Sequence, residues 1–385
     1  MATRPKSVHP WHQLLDALLT QQAELSAEIA HRMQRQLSVY QELAAETFER
    51  YVAMAVECTI RLARADPPRL SERQTLVLEQ VGEAQARLAV PVDQMLLAWR
   101  IGADVLVERG SAEAARIDLG DRQLLAFVRG ALAASDVGMI TTARAHRRAE
   151  LEQDREAQDR RASFVRAVLF GGGEPAELRA RAKSYGLDPA RRYLAVRARP
   201  APDAPWRTVE QTVGLATSAR ENRGMSVLVD DDLAGFQLDP PGDAAPGRAG
   251  VGPSVPLDRL AESFRLATRA LDTLQAFGMA GTRDLADLGL RPAVAGDPDV
   301  GAALRRRYLE PLAESGSAAE ITATLRAYLA AGSHVETAAE RLHIHSNTLR
   351  YRLSRFEELA GVSLRDPLVP FELWWALERA FIDPA

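Results

Sequence analysis

Apolar residues recur at helical spacing from residue 11 to about residue 150. In WHQLLDALLTQQAELSAEIAHRMQRQL they return every three or four positions, which predicts amphipathic helices packed through their apolar faces. Pro67 and Pro68 interrupt the pattern, and Ser71 stands where it can cap a helix running to Leu88. Pro91 marks a turn before VPVDQMLLAWRIGADVLVER, and Asp121 to Ile140 forms another apolar-faced helix. The expectation is a bundle of five or six helices. Thr141 to Ala162 is almost wholly charged and lacks sustained apolar heptads, which predicts a solvated helical connector.

The period changes near Ser163. SFVRAVLF predicts a helix, GGG a sharp turn, and Pro175 and Gly186 bracket the next helix. RYLAVRAR reads as a strand and Thr208 to Asn222 as one helix. MSVLVDDDLAGFQL reads as a hairpin turning at Asp230–Asp232, followed by the loop GDAAPGRAG, a short strand in RAGVGP and a long helix from Leu257 to Ala276. Helices alternating with strands and a hairpin predict an α+β sandwich of ferredoxin type. GLRPAVAGDPDVG is the expected link out of it. The fold class is therefore multidomain and mostly α: a helical bundle over 1–150, a connector and α+β domain over 151–295, and an all-α domain over 300–385.

That last domain contains SHVETAAERLHIHSNTLRYRLSRFEEL, two short helices about a tight turn. Ser333 and Glu336 have capping-box spacing. Val335, Ala338, Ala339 and Leu342 form the first apolar stripe, and Leu349, Leu353 and Phe356 the second. His343 occupies the turn, where it tolerates a left-handed backbone better than most residues. On the opposite face of the second helix stand Asn347, Tyr351, Ser354 and Arg355, flanked by Arg350 and Arg352.

Charge sharpens this picture. The chain of 385 residues has 48 Lys+Arg against 52 Asp+Glu, a net charge of −4, and therefore carries no general basic coat. Yet Arg341 to Arg355 holds four arginines, two histidines and no acid. A helix-turn-helix laid in the major groove of duplex DNA accounts for this window. Ser346, Asn347, Arg350, Tyr351 and Arg355 are the base or phosphate candidates. Thr348 and Arg352 are expected to join them as supporting DNA contacts; Thr348 also stands where it can secure the helix start, and the alternative for Arg352, which borders the apolar face, is a bond within the domain.

TAAERLHIHSNTLRYRL resembles the Fis-type helix-turn-helix that closes PucR-family bacterial transcriptional regulators. The match rests on Thr337, Ala338, Ala339, Leu342, Ile344, His345, Asn347, Thr348, Leu349, Tyr351, Arg352 and Leu353. Ser346 stands where many members have Arg or Pro. LAGVSLRDPLVPFELWWALERAFI resembles the family's closing segment, with Trp374, Trp375, Leu377 and Phe381 expected in the core. VPVDQMLLAWRIGAD resembles an RsbR-like helical sensor domain. RARAKSYGLD and AGVGPSVPLDRLAESFRLATRALDTLQAFG resemble the family's degenerate GGDEF-like domain. The resemblance implies a DNA-binding transcriptional regulator whose upstream domains answer a small-molecule or protein effector. One helix-turn-helix reads only a few base pairs, and Glu336, Glu340, Glu357, Glu358 and Glu372 surround its basic window, so a homodimer or higher even oligomer on an inverted-repeat operator is expected, two copies raising the effective concentration.

Little else predicts chemistry. VDDDLAGF has no GGDEF turn, Gly171–Gly173 lack the Gly-Lys-Ser/Thr of a phosphate loop, and the histidines have no metal-ligand spacing. Neither enzyme activity, a cofactor nor a metal is expected. The three acids at Asp230–Asp232 are expected to face water. Cys58 is a lone cysteine in an apolar stretch, which reads as a small buried hydrophobe. Trp99, Arg100 and Asp104 could hold an anion, but packing by Trp99 is the preferred account. With no uncharged apolar stretch of about 18 residues and no signal-peptide pattern, a cytoplasmic protein without a membrane span is expected. The alternative is a nucleotide-binding or stress-signalling scaffold whose terminal helices serve only dimerisation.

Overall fold

The computed structural model describes residues 12–65, 67–242, 247–313 and 315–383. By contact the chain divides into two units, residues 1–159 and 160–385.

The first unit is helical. It comprises α1 (His12–Thr20), α2 (Gln22–Gln36), α3 (Ala45–Leu62), α4 (Glu72–Arg87), α5 (Val92–Arg116) and the first part of α6 (Asp121–Phe170). Ser71 caps α4 as expected, in a reciprocal capping box with Gln74. Leu14, Leu18, Ile29, Tyr40, Ile60, Met95, Val105 and Phe127 share one core. Cys58 lies within this unit, and burial pushes its thiol up to about 11. Thr141 to Ala162 is not a separate connector. It continues α6 without a break, and Thr142, Ala145, His146 and Ala149 are buried. The His146 imidazole Nε2 lies 2.7 Å from the Val90 carbonyl. Only from Leu151 does the helix become exposed on every side. One 18-residue stretch of α6 is apolar enough to cross a membrane by length and composition, although α6 also supplies Phe127, Ala131 and Ala134 to the bundle core.

The second unit opens with the last turns of α6 and α7 (Pro175–Ser184). β1 (Arg192–Pro200) follows, then α8 (Trp206–Thr212), α9 (Leu215–Arg220), β2 (Gly224–Val229), β3 (Asp232–Gln237), β4 (Gly247–Val251), β5 (Val255–Pro256), α10 (Leu260–Ala276) and β6 (Gly281–Arg283). The sheet order is β2-β3-β1-β4-β6, with β5 also on β1. β1 is antiparallel to β3 and β4, setting Val196 beside Gly235 and Val251, while β4 and β6 run parallel. Successive β1 side chains point to opposite faces. Tyr193 and Ala195 therefore join Phe164, Phe236 and Phe264, while Leu194, Val196 and Ala198 join Val209, Val213 and Leu215. The mixed sheet within a mostly helical chain bears out the predicted fold class.

Several local expectations are corrected. Thr208 to Asn222 is two helices, because Gly214 adopts φ +83° between them. In GDAAPGRAG, residues 243–246 lie outside the described residues, and the segment from Gly247 belongs to β4. Asp230 and Asp231 alone form the hairpin turn, at φ 50° and 64°. Asp232 begins β3 and is buried, because its carboxylate accepts from Arg197 Nε at 2.9 Å and from Arg199 Nε at 2.5 Å.

After β6 come α11 (Leu285–Leu288), α12 (Arg291–Gly296), α13 (Pro298–Tyr308), α14 (Glu310–Ala313), α15 (Ala318–Ala330), α16 (Val335–Arg341), α17 (Ser346–Ala360) and α18 (Val369–Ile382). GLRPAVAGDPDVG is therefore helical and packed. Val294 is buried, and the Arg291 guanidinium bonds Glu378 at 3.0 Å. Leu377 is in the core as expected, and Trp374 and Trp375 are half-buried. Phe381 is exposed, with its ring stacked 6.2 Å from that of Phe277.

Candidate nucleic-acid interface

The helix-turn-helix is α16, a turn at Leu342–His345, and α17. Its core is assembled from both helices and their neighbours: Ala338, Ala339, Leu349, Leu353 and Phe356 pack with Tyr308, Ile321, Leu325 and Leu373. The small side chains at Ala338 and Ala339 are well suited to close helix approach, and both are buried. Tyr308 donates to the Glu372 carboxylate; burial and that carboxylate push its phenol up to about 12. It therefore remains a donor throughout the neutral range.

The start of α16 corrects the capping-box expectation. Ser333 has φ +65°, and its backbone N–H donates to the Tyr328 carbonyl at 2.9 Å, closing the end of α15. His334 is the residue before α16, with no side-chain cap. The S-x-x-E spacing lies across a helix stop rather than at a helix start. The turn itself follows expectation: His343 has φ +53°.

The first turn of α17 is held by a residue that sequence reasoning placed only in the family pattern. The Asn347 backbone N–H donates to His345 Nδ1 at 3.2 Å, so an imidazole caps the helix. Thr348 takes part at this start through its backbone, whose N–H donates to the His345 carbonyl at 3.0 Å. A histidine followed by a polar run was the available signal, but histidine is not among the usual capping residues. Gly361, at φ +66°, ends the helix.

The seven predicted residues divide by environment. Asn347, Thr348, Arg350, Tyr351 and Arg355 are exposed, and Ser346 is half-buried at the helix start. Tyr351 is 71% exposed, high for a large aromatic side chain. Arg352 differs: it is 21% exposed and pairs with Glu320 on α15. It is engaged within the domain, the alternative that its place beside the apolar face left open.

The acid-free window is not acid-free in space. Arg350 Nη2 bonds Glu336 on α16 at 2.6 Å, and its Nη1 lies 3.4 Å from both Ser346 Oγ and Asn347 Oδ1. Arg355 pairs with Glu358 at 2.9 Å, and Arg341 donates to the Ala330 carbonyl at 2.9 Å. The exposed pairs are worth little, about 0–1 kcal/mol each, so phosphate can displace the carboxylates. Arg350 and Arg355 are thus parked beside exposed acids, whereas Arg352 is built in.

Comparison with known proteins agrees with both ends of the chain. Residues 321–378 match the PucR C-terminal helix-turn-helix domain. Residues 23–161 match the RsbT co-antagonist protein rsbRD N-terminal domain. An uncharacterised protein of Mycobacterium tuberculosis (strain ATCC 25618 / H37Rv) is 36% identical over 124 residues, 31% of this chain and 28% of the relative. The purine catabolism regulatory protein of Bacillus subtilis (strain 168) is 44% identical over 54 residues, 14% of this chain and 10% of that protein. The matched segment thus spans little more than a quarter of the mycobacterial relative. The crystal structure of a regulator of polyketide synthase expression from Bifidobacterium adolescentis aligns with a TM-score of 0.29 at 18% identity, over 58% of this chain and 96% of that one.

Proposed function

We propose that this chain, which carries a PucR-type helix-turn-helix domain and an RsbRD-type N-terminal domain, is a transcriptional regulator that reads duplex DNA through α17. The observation that carries this is the division of α17 into two faces. Leu349, Leu353 and Phe356 anchor one, and Asn347, Arg350, Tyr351 and Arg355 are exposed on the other, with Ser346 at its start. In the major groove the first turn meets base edges, and a guanidinium further along meets guanine or phosphate. Arg352 holds α17 against α15, and Thr348 lies beside the helix start. The parts are the bundle (1–150), the connector and central domain (151–295) and the reader (300–385), acting in the cytoplasm. The decisive experiment maps bound genomic fragments and tests them by gel shift against salt. Failure of a folded Arg350→Ala/Arg355→Ala variant to lose affinity would remove α17 from the interface.

The central domain is a non-catalytic spacer in this reading. Asp232 is committed to Arg197 and Arg199, and the remaining turn offers only Asp230 and Asp231. Incubation with GTP and magnesium or manganese should yield no cyclic dinucleotide. Turnover abolished by Asp230→Asn/Asp231→Asn would overturn that assignment.

The reader works as a homodimer on an inverted repeat. Paired recognition helices sit about 34 Å apart on half-sites about 10 bp apart. The exposed face of α6 supports pairing. Leu125, Arg129, Leu132, Asp136 and Ile140 lie within an arc of about 80°, at ~100° per residue. Leu125, Leu132 and Ile140 are 61%, 44% and 47% exposed. No salt bridge engages Asp121, Arg129, Asp136 or Arg144 among the described residues. In an antiparallel pair centred near Leu132, Leu125 meets the second copy's Ile140, Arg129 its Asp136, and Asp121 its Arg144. The pattern is self-complementary, as a two-fold interface requires. Sedimentation should show Arg129→Glu dissociating the dimer and Arg129→Glu/Asp136→Arg restoring it. Unchanged dimers in both would exclude this face.

A further inference from the structure

We infer that the N-terminal bundle holds a binding site for a small, neutral, flat, largely apolar molecule. The inference rests on the reading that this bundle receives the regulator's signal. A cleft open on one side, about 750 Å³ when the solvent in its open mouth is counted, lies among α2, α3, α4, α5 and α6. Phe48, Tyr51 and Trp99 supply flat walls, and no acidic, basic or histidine side chain lines it. An ion entering would lose water against walls with no opposite charge, a penalty that excludes charged ligands. The polar groups are few. Tyr40 donates to Gln85 Oε1 at 2.9 Å, and Thr59 donates to the Ala55 carbonyl at 2.8 Å. The Gln85 amide N–H groups and the Ser135 hydroxyl have no hydrogen-bond partner among the described residues. They are the two points at which one polar group of the ligand would be fixed.

Two glycines shape the space. A Cβ at Gly138 would sit 2.6 Å from the Trp99 ring, so α6 needs glycine there for the indole to form its wall. A Cβ at Gly102 would approach Met33 and Ile29 no nearer than 3.8 Å. Glycine at position 102 is therefore not enforced by packing; it keeps the cavity open. This assigns Trp99 a second task beyond packing, and one for an uncharged ligand rather than an anion.

The probe for this site is N-phenyl-1-naphthylamine, a neutral two-part aromatic with one N–H, titrated into the full chain by fluorescence. Saturation at one probe per chain is expected, with Trp99 emission quenched. Gly102→Leu and Ala55→Leu fill the cavity from α5 and α3, and each should weaken binding at least tenfold while leaving the helical circular dichroism unchanged. Should either variant fail to fold, Ser135→Ala, which removes one anchoring point, should weaken it about threefold. The sulfonated analogue 8-anilinonaphthalene-1-sulfonate should bind at least tenfold more weakly than the neutral probe. Equal binding by the filled variants, or preference for the sulfonate, would overturn the site. DNA affinity is read in parallel: probe binding with no change in DNA affinity would keep the site and overturn the signalling role of the bundle.

Discussion

Two arginine-rich helical stretches, residues 144–161 of α6 and α17, look alike by composition and differ in what surrounds them. In α6 the arginines alternate with Glu150, Glu152, Asp154, Glu156 and Asp159 along the same helix, and from Leu151 to Arg161 every side chain is exposed. Charge is balanced locally along the exposed part of this stretch. In α17 no acid stands between the arginines; Arg350 and Arg352 are balanced from other helices, by Glu336 on α16 and Glu320 on α15, and Arg355 alone by Glu358 of its own helix. Those contacts sort the arginines. Arg350, 53% exposed on an exposed glutamate, can be recruited by phosphate, whereas Arg352, at 21%, is tied down. A charge run in sequence is thus a poor guide to available charge; the exposure of each partner decides.

The sharpest break of the comparison is a pair of double variants. Arg350→Ala/Arg355→Ala should cost about 2–6 kcal/mol of specific DNA affinity, each contact contributing ~1–3. Arg155→Ala/Arg161→Ala in α6 should leave the titration unchanged. Equal losses would mean that DNA follows bulk charge and not the α17 face.

Asp232→Asn against Asp231→Asn is the next largest contrast. Removing the buried carboxylate strands Arg197 and Arg199, and about 2–3 kcal/mol of stability should be lost, below the ~3–5 of a fully buried pair because Arg199 is half-exposed. Asp231, in the turn, should cost about 0.5 kcal/mol or less. Urea denaturation of both variants checks the order.

Arg352→Ala tests the claim that this arginine braces the domain. It should lower stability by about 1 kcal/mol, matched by Glu320→Ala, with no further loss in the double variant. DNA affinity measured well below the melting point should fall much less than for Arg350→Ala. A loss as large as that of Arg350→Ala would return Arg352 to the interface.

The smallest effect is a gain. Glu336→Gln frees Arg350 and should tighten binding about two- to fivefold at low salt, a benefit erased at high ionic strength by screening. Weaker binding would show that Glu336 positions Arg350 instead of competing for it.

Much of the fold was legible in sequence because burial imposes a period. The 3.6-residue spacing gave the bundle helices and α17, and alternation gave β1 and the β2–β3 hairpin. The i, i+4, i+7 spacing located Leu349, Leu353 and Phe356 in the core and the polar face opposite them. What misled was local chemistry with two meanings. Ser333 and Glu336 have the spacing of a cap, but Tyr328 claims the Ser333 amide first. Asp232 looks like a third turn acid, yet Arg197 and Arg199, more than thirty residues away, draw it inside.

The sequence by itself determined the class of each region, since hydrophobic periodicity, proline breaks and the helix-turn-helix spacing are local and additive along the chain. Only the tertiary structure decided which arginines of α17 are available, that an imidazole and not a hydroxyl starts that helix, and that α2 to α6 leave a cavity beside Trp99. Each of these depends on what lies across space within a few ångströms. Hydrogen bonding, ion pairing and packing act at that range without regard to distance along the chain.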